Sequence, residues 1–237
     1  MKKSIRLLSL LLALALPVLP GAYAEGEEAL TALCETATFI RKDKPAESMT
    51  NYQNMQVDGN DTTARYGLVR FDLKQLRDVL LNDAVSVRLR VTTENDAAGE
   101  SNRFGIYQLS ERSEIWPDII NYQDAFKMGV VADLEKPVYT SPQGLLGETD
   151  YLTGDILPDI RQNLLENPLN SIVSYKIAGL AGGAYSIGGK GSGDGKKPAL
   201  LIQKAPAPDS AEAVRQTKEK LSFGMLSTES EETVTRD

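Results

Sequence analysis

Arg41, Lys42 and Lys44 crowd one short stretch of the chain, and Arg65, Arg70, Arg88 and Arg90 are spaced along two later apolar segments. A guanidinium grips a carboxylate through two parallel hydrogen bonds, and an ammonium adds a compact point charge. Such a set therefore suits a ligand that carries carboxylates. Tyr52 and Tyr66 lie close by in sequence. A tyrosine ring offers a flat apolar plane with a polar tip, the kind of surface on which a ring-shaped ligand rests. Arg41, Lys42, Lys44, Tyr52, Arg65, Tyr66 and Arg70 form the candidate binding set. Each also has an ordinary reading. Asp43 is at hand for the first cluster, Asp72 and Glu94 for the arginines, and tyrosines pack into cores.

Other chemistries have weaker support. Asp58, Asn60 and Asp61 place three oxygen donors in one turn, and Glu94, Asn95 and Asp96 do so again. Calcium takes about six to eight oxygens, so Asp58, Asn60 and Asp61 are the candidate ligands of a structural calcium. Neither turn has the spacing of an EF-hand, and ordinary turn chemistry also explains both. The glycine-rich run Gly188 to Lys197 lacks the GxxxxGK[ST] spacing of a phosphate loop and precedes a strand, so it reads as a flexible hairpin loop. The chain has no histidine. That removes serine–histidine and cysteine–histidine nucleophiles, histidine zinc sites and the commonest general base. Paired-carboxylate hydrolysis and tyrosine-based elimination stay chemically open, but no group of acids stands out, and no catalytic residue is expected.

The chain opens with Lys2, Lys3 and Arg6, continues with an apolar run from Leu7 to Pro20, and reaches Ala22-Tyr23-Ala24. This is the pattern of a secretory signal peptide over residues 1–24, so the protein is expected to be secreted, periplasmic or on the cell surface after cleavage near Ala24. The run is short for a membrane span, and no membrane insertion is expected. Losing those three basic residues takes the formal charge from −7 to −10. So acidic a chain does not suit a nucleic-acid partner, and none is expected. Cys34 is the sole cysteine, so no internal disulfide can form, and burial is its ordinary fate.

The elements that must position these residues are mostly strands. Val69, Phe71 and Leu73 alternate with Leu68, Arg70 and Asp72, and Val85, Val87, Leu89 and Val91 alternate with Ser86, Arg88, Arg90 and Thr92. Period-two alternation marks antiparallel strands buried on one face and solvated on the other. If the two segments pair, their arginines line one exposed sheet face. Strands are expected at Ala37 to Lys42, Asn54 to Val57, Tyr66 to Leu73, Val85 to Thr92, Arg103 to Leu109, Ile172 to Ile177, Ala184 to Ile187 and Ala199 to Gln203, with turn signals between them. Short helices are expected at Leu76 to Leu81 and Leu157 to Leu165. The fold class is all-β, a jelly-roll-like antiparallel β-sandwich with one or two short helices. Residues 25–35 read as a lead-in, 36–204 as the sandwich and 205–237 as a flexible polar tail.

Several segments resemble the DNRLRE domain, carbohydrate-binding module family 96. They are Ala37 to Asp43 with Asn51-Tyr52, Arg65 to Leu73, and Val87 to Val91, followed by Phe104 to Leu109, Glu114 to Tyr122, and Lys197 to Ile202. The resemblance spans roughly Thr36 to Gln203. Tyr122-Gln123-Asp124 stands where the family usually has a tryptophan, two asparagines and a proline, and Glu135 to Leu152 is longer than usual. The resemblance implies a jelly-roll sandwich, Trp116 packed inside it, and binding of an acidic polysaccharide such as alginate. Such modules commonly carry calcium and sometimes accompany a lyase. The expected protein is thus a noncatalytic module whose partner is an acidic polysaccharide. The alternatives are a structural or cell-envelope unit partnered with envelope components, and a polysaccharide lyase or hydrolase.

Overall fold

Alternating apolar residues form the inner faces of two packed antiparallel sheets. The computed structural model describes residues 30–50, 52–109, 115–131 and 136–204, so the leader, residues 25–29 and the tail 205–237 lie outside the described residues. The strands are β1 (Leu30–Leu33), β2 (Thr36–Arg41), β3 (Asn54–Val57), β4 (Arg65–Asp72), β5 (Val85–Thr92), β6 (Arg103–Leu109), β7 (Tyr139–Thr140), β8 (Asp150–Leu152), β9 (Ile172–Ala181), β10 (Tyr185–Gly188) and β11 (Ala199–Lys204). The helices are α1 (Arg77–Asn82), α2 (Tyr122–Lys127) and α3 (Leu157–Glu166).

One layer has the strand order β2-β4-β9-β6-β7, and the other β1-β11-β5-β8. The two-stranded ribbon β10-β3 touches both layers at one end, through the bridge Thr93↔Ile187 beside β5 and the bridge Asp58↔Arg65 beside β4. The interior between the layers holds Phe39, Val69, Phe71, Phe104, Ile106, Tyr175 and Ile177 from the first and Val85, Val87, Leu89, Val91, Leu200 and Ile202 from the second. The ribbon adds Met55, Val57, Tyr185 and Ile187. This is the expected β-sandwich. Its first strand, β1, falls in the stretch read as a lead-in and pairs with β11 from Leu30↔Ile202 to Leu33↔Ala199.

Two expectations about strand neighbours and faces are corrected. β4 pairs with β2 and β9, and β5 with β11 and β8, so the Arg65–Arg70 and Arg88–Arg90 strands lie in different layers and share no arginine-lined face. The outer face of β4 is not solvated either. Residues 115–131, including α2, lie across it and close a second core of Ile40, Leu68, Leu109, Trp116, Ile120, Ala125 and Val130. The alternation was read correctly, yet its polar-looking face is covered. Leu68 is buried, and Arg70 faces the covering segment.

α1 and α3 cap each other. Arg77 donates to the carbonyls of Leu164 and Asn170 at the end of α3, and Arg161 donates to those of Leu80 (2.6 Å) and Asp83 (2.7 Å) at the end of α1. Cationic side chains at C-termini satisfy the orphan carbonyls and match the helix dipole.

Candidate functional site

β2 ends at Arg41 and β4 begins at Arg65, and the antiparallel register sets these two arginines directly opposite each other. Arg41 grips Asp43 with two bonds, Nε to Oδ1 at 3.0 Å and Nη2 to Oδ2 at 2.5 Å. Arg65 donates through Nη1 to Gln56 Oε1 on β3, and its Nε is buried with no hydrogen-bond partner among the described residues. Those bonds to Arg41, with the nearby charges of Arg41 and Arg65, hold the Asp43 carboxyl below the usual carboxylate range. Lys42 is exposed and donates to the Asp61 carbonyl at 2.9 Å. Lys44 pairs with Glu47 at 2.8 Å in the same loop. Tyr52 sets its ring edge-on to Phe39, 5.2 Å between centroids, and leaves 51 % of its surface in solvent. Arg41, Lys42, Lys44, Tyr52 and Arg65 thus belong to one rim of the sandwich, where β2 ends and β4 starts.

The other two candidate binding residues lie elsewhere. Tyr66 points to the covered outer face, where its ring stacks on Tyr122 at 6.4 Å and Lys176 Nζ sits 5.4 Å from its centroid. Arg70 is five residues along β4 from Arg65, about 17 Å at strand spacing. It is bound to Glu35 Oε2 (3.0 Å), Asp118 Oδ1 (2.5 Å) and the Trp116 carbonyl, with its guanidinium 5.1 Å from the Trp116 ring centroid. Those contacts take up the fork that was expected to meet a ligand, so Arg70 is a strut. Trp116 is buried as expected, although in the second core rather than between the layers.

The calcium candidates Asp58, Asn60 and Asp61 share the turn between β3 and β4. Asp58 is buried, its Oδ1 accepts from the Asn60 amide and its Oδ2 from the Thr63 hydroxyl, while Asn60 Oδ1 accepts from Thr62. These Asp58 and Asn60 oxygens serve bonds within the turn, while Asp61 is exposed. In the second turn, Glu94 accepts from Lys196, and Asp96 accepts from the Ser186 amide and hydroxyl. Among the described residues no three histidine, cysteine, aspartate or glutamate side chains group as a metal site. The glycine-rich loop is not loose: Ser192 hydrogen-bonds Asn54 Oδ1 at 2.7 Å and accepts from the Gly189 amide.

Sequence reading missed one group. Lys176 on β9 is buried between the rings of Tyr66 and Tyr107, at 5.4 and 5.5 Å. The two rings come from β4 and β6, the strands on either side of β9, so the pairing of these three strands brings them to the lysine. An open cleft of about 370 Å³ lies elsewhere, lined by Gln108, Lys136, Pro137, Val138 and Asp159. Among the described residues no helix is long and apolar enough to cross a membrane. Comparison with known protein families finds no matching family model, and comparison with curated proteins finds no match.

Proposed function

We propose that the chain is an exported, noncatalytic β-sandwich that binds an acidic polysaccharide, a uronate polymer of the alginate kind, at the rim formed by Arg41, Lys42, Tyr52 and Arg65. The observation that carries this reading is the directly opposed pair Arg41↔Arg65. Like charges facing across two strands destabilise a sheet, and among the described residues this rim sets one bonded carboxylate, Asp43, against them in a chain of formal charge −7. A half-exposed Tyr52 ring stands in the same loop region, ready to pack against a sugar face. The sequence resemblance to the DNRLRE domain, with its jelly-roll sandwich and acidic glycan ligands, supports the same reading. Arg70 and Tyr66 are left out, since their contacts are internal. Each rim contact is modest, so useful affinity comes from several rims on one polymer.

Gel retardation in alginate, pectate and a neutral glucan, at low and high salt, tests it. The protein is retarded by the uronate polymers only, less so in salt. Arg65→Ala and Tyr52→Ala lose retardation, and Arg70→Ala keeps it. Equal mobility in every gel overturns the proposal. A second reading, a cell-envelope assembly unit, is favoured by Ile115, Ile119 and Phe126, which leave more than half their surface exposed on the covering segment. Self-association without glycan affinity, seen by sedimentation, would decide for it.

A further inference from the structure

Asp43 holds Arg41 in the way a sugar carboxylate would. Both of its oxygens engage the guanidinium edge, at 3.0 and 2.5 Å, in the planar fork that arginine uses for carboxylate ligands. Asp43 lies two residues from Arg41 on an exposed loop, beyond the last residue of β2, so moving it aside breaks no strand pairing. The same loop repeats the arrangement, with Glu47 on Lys44. The remaining rim groups are held differently. Arg65 is bound to a neutral amide and Lys42 to a carbonyl, so among the described residues neither has an anion to displace.

We propose that Asp43 is a tethered stand-in for the ligand's carboxylate, and that it sets the specificity of the rim for polymers over single sugars. The inference rests on the glycan-binding reading above. A tethered carboxylate competes at an effective concentration on the order of millimolar or higher. A single uronate must displace it for the gain of one ion pair, and exposed ion pairs are weak. A chain of uronates can stay bound through Arg65, Lys42 and the Tyr52 ring whether or not it displaces Asp43. Asp43 therefore suppresses binding of monomers and short ends more than binding of long chains.

The test compares wild type, Asp43→Asn and Asp43→Ser by calorimetric titration with galacturonate, a uronate oligomer and alginate. Thermal unfolding confirms that the variants fold. Both variants bind the monomer more tightly, by about two- to fivefold, the scale of one released ion pair. They gain less for alginate, so the ratio of polymer to monomer affinity falls; an unchanged ratio overturns the role in specificity. If wild type binds alginate and the variants bind galacturonate no more tightly than wild type does, Asp43 positions Arg41 rather than competing for it, and this inference fails alone. If neither wild type nor variants bind any uronate, the binding reading fails with it.

Discussion

The guanidinium of Arg70 lies 5.1 Å from the centre of the Trp116 ring and donates to the carbonyl of the same residue. One side chain on β4 therefore pins the segment that covers the first sheet, by ring face and by backbone. Glu35 and Asp118 hold the guanidinium from either side. Removing it leaves a buried carbonyl without its donor while the two carboxylates stay wet. Arg70→Ala should cost about 1–3 kcal/mol in urea unfolding. It should also shift the emission of Trp116, the chain's one tryptophan, to the red as water reaches the ring. Glycan retardation should be unchanged.

Leu68 is fully buried beneath that segment, on the face that alternation marked as solvated. Leu68→Ala should destabilise by about 2–5 kcal/mol, because it leaves a cavity under Trp116. Leu169 is wholly exposed, and Leu169→Ala should change stability by less than about 0.5 kcal/mol. Equal effects in chemical denaturation would mean that the segment does not cover the sheet.

Gly179 on β9 meets the turn that precedes Arg65. A Cβ at this position would lie 2.5 Å from the Gly59 nitrogen and 2.8 Å from the Asp58 carbonyl carbon, both main-chain atoms. The turn has to move to admit it. Gly179→Ala should lower stability by about 1–3 kcal/mol and weaken uronate retardation, since the Asp58↔Arg65 bridge shifts with the turn.

Acid should weaken the fold. The Asp118 carboxyl is held below its ordinary range first by the Thr36 hydroxyl bond and then by the charge of Arg70. Asp43 is held low by Arg41. A carboxyl lowered by folding stabilises the native state above its unfolded pKa of about 4, and that contribution disappears as pH falls through the lower folded value. The urea midpoint should hold near neutrality and drop below pH 4. Asp118→Asn should reduce the size of the drop, by a small amount because the group is exposed.

Burial pushes the Cys34 thiol up to about 11. At pH 8 the native protein should react with an aromatic disulfide reagent far more slowly than the urea-unfolded protein does. Rapid labelling of native protein would show that the Cys34 region, next to the Pro198 carbonyl bonded to its amide, opens readily.

Strands β3, β5 and β6 coincide with the segments read from alternation, at Asn54–Val57, Val85–Thr92 and Arg103–Leu109. β1, β7 and β8 escaped notice because two to four residues carry too little pattern, and each is defined by the partner it meets. α2 is a six-residue helix capped by Asn121, too short to show a helical period. Of the candidate binding residues, Arg41, Lys42 and Lys44 were legible as neighbours because they are adjacent in sequence; Arg65, read as a companion of Arg70, Arg88 and Arg90, joins them only through the pairing of β2 with β4. The fate of Arg70 and Tyr66 was not legible, because a segment about fifty residues later covers them.

Local chemistry determined which residues share a face of each strand, where the turns fall, and that no histidine serves any reaction, since side-chain period and composition need no knowledge of partners. Which strands pair, which face of β4 is wet, and whether each arginine meets a ligand or a neighbouring carboxylate were decided only by the tertiary structure. Those outcomes depend on contacts between residues far apart in the chain, such as Arg70 with Asp118 and Asp58 with Gly179, and no window of sequence contains both partners.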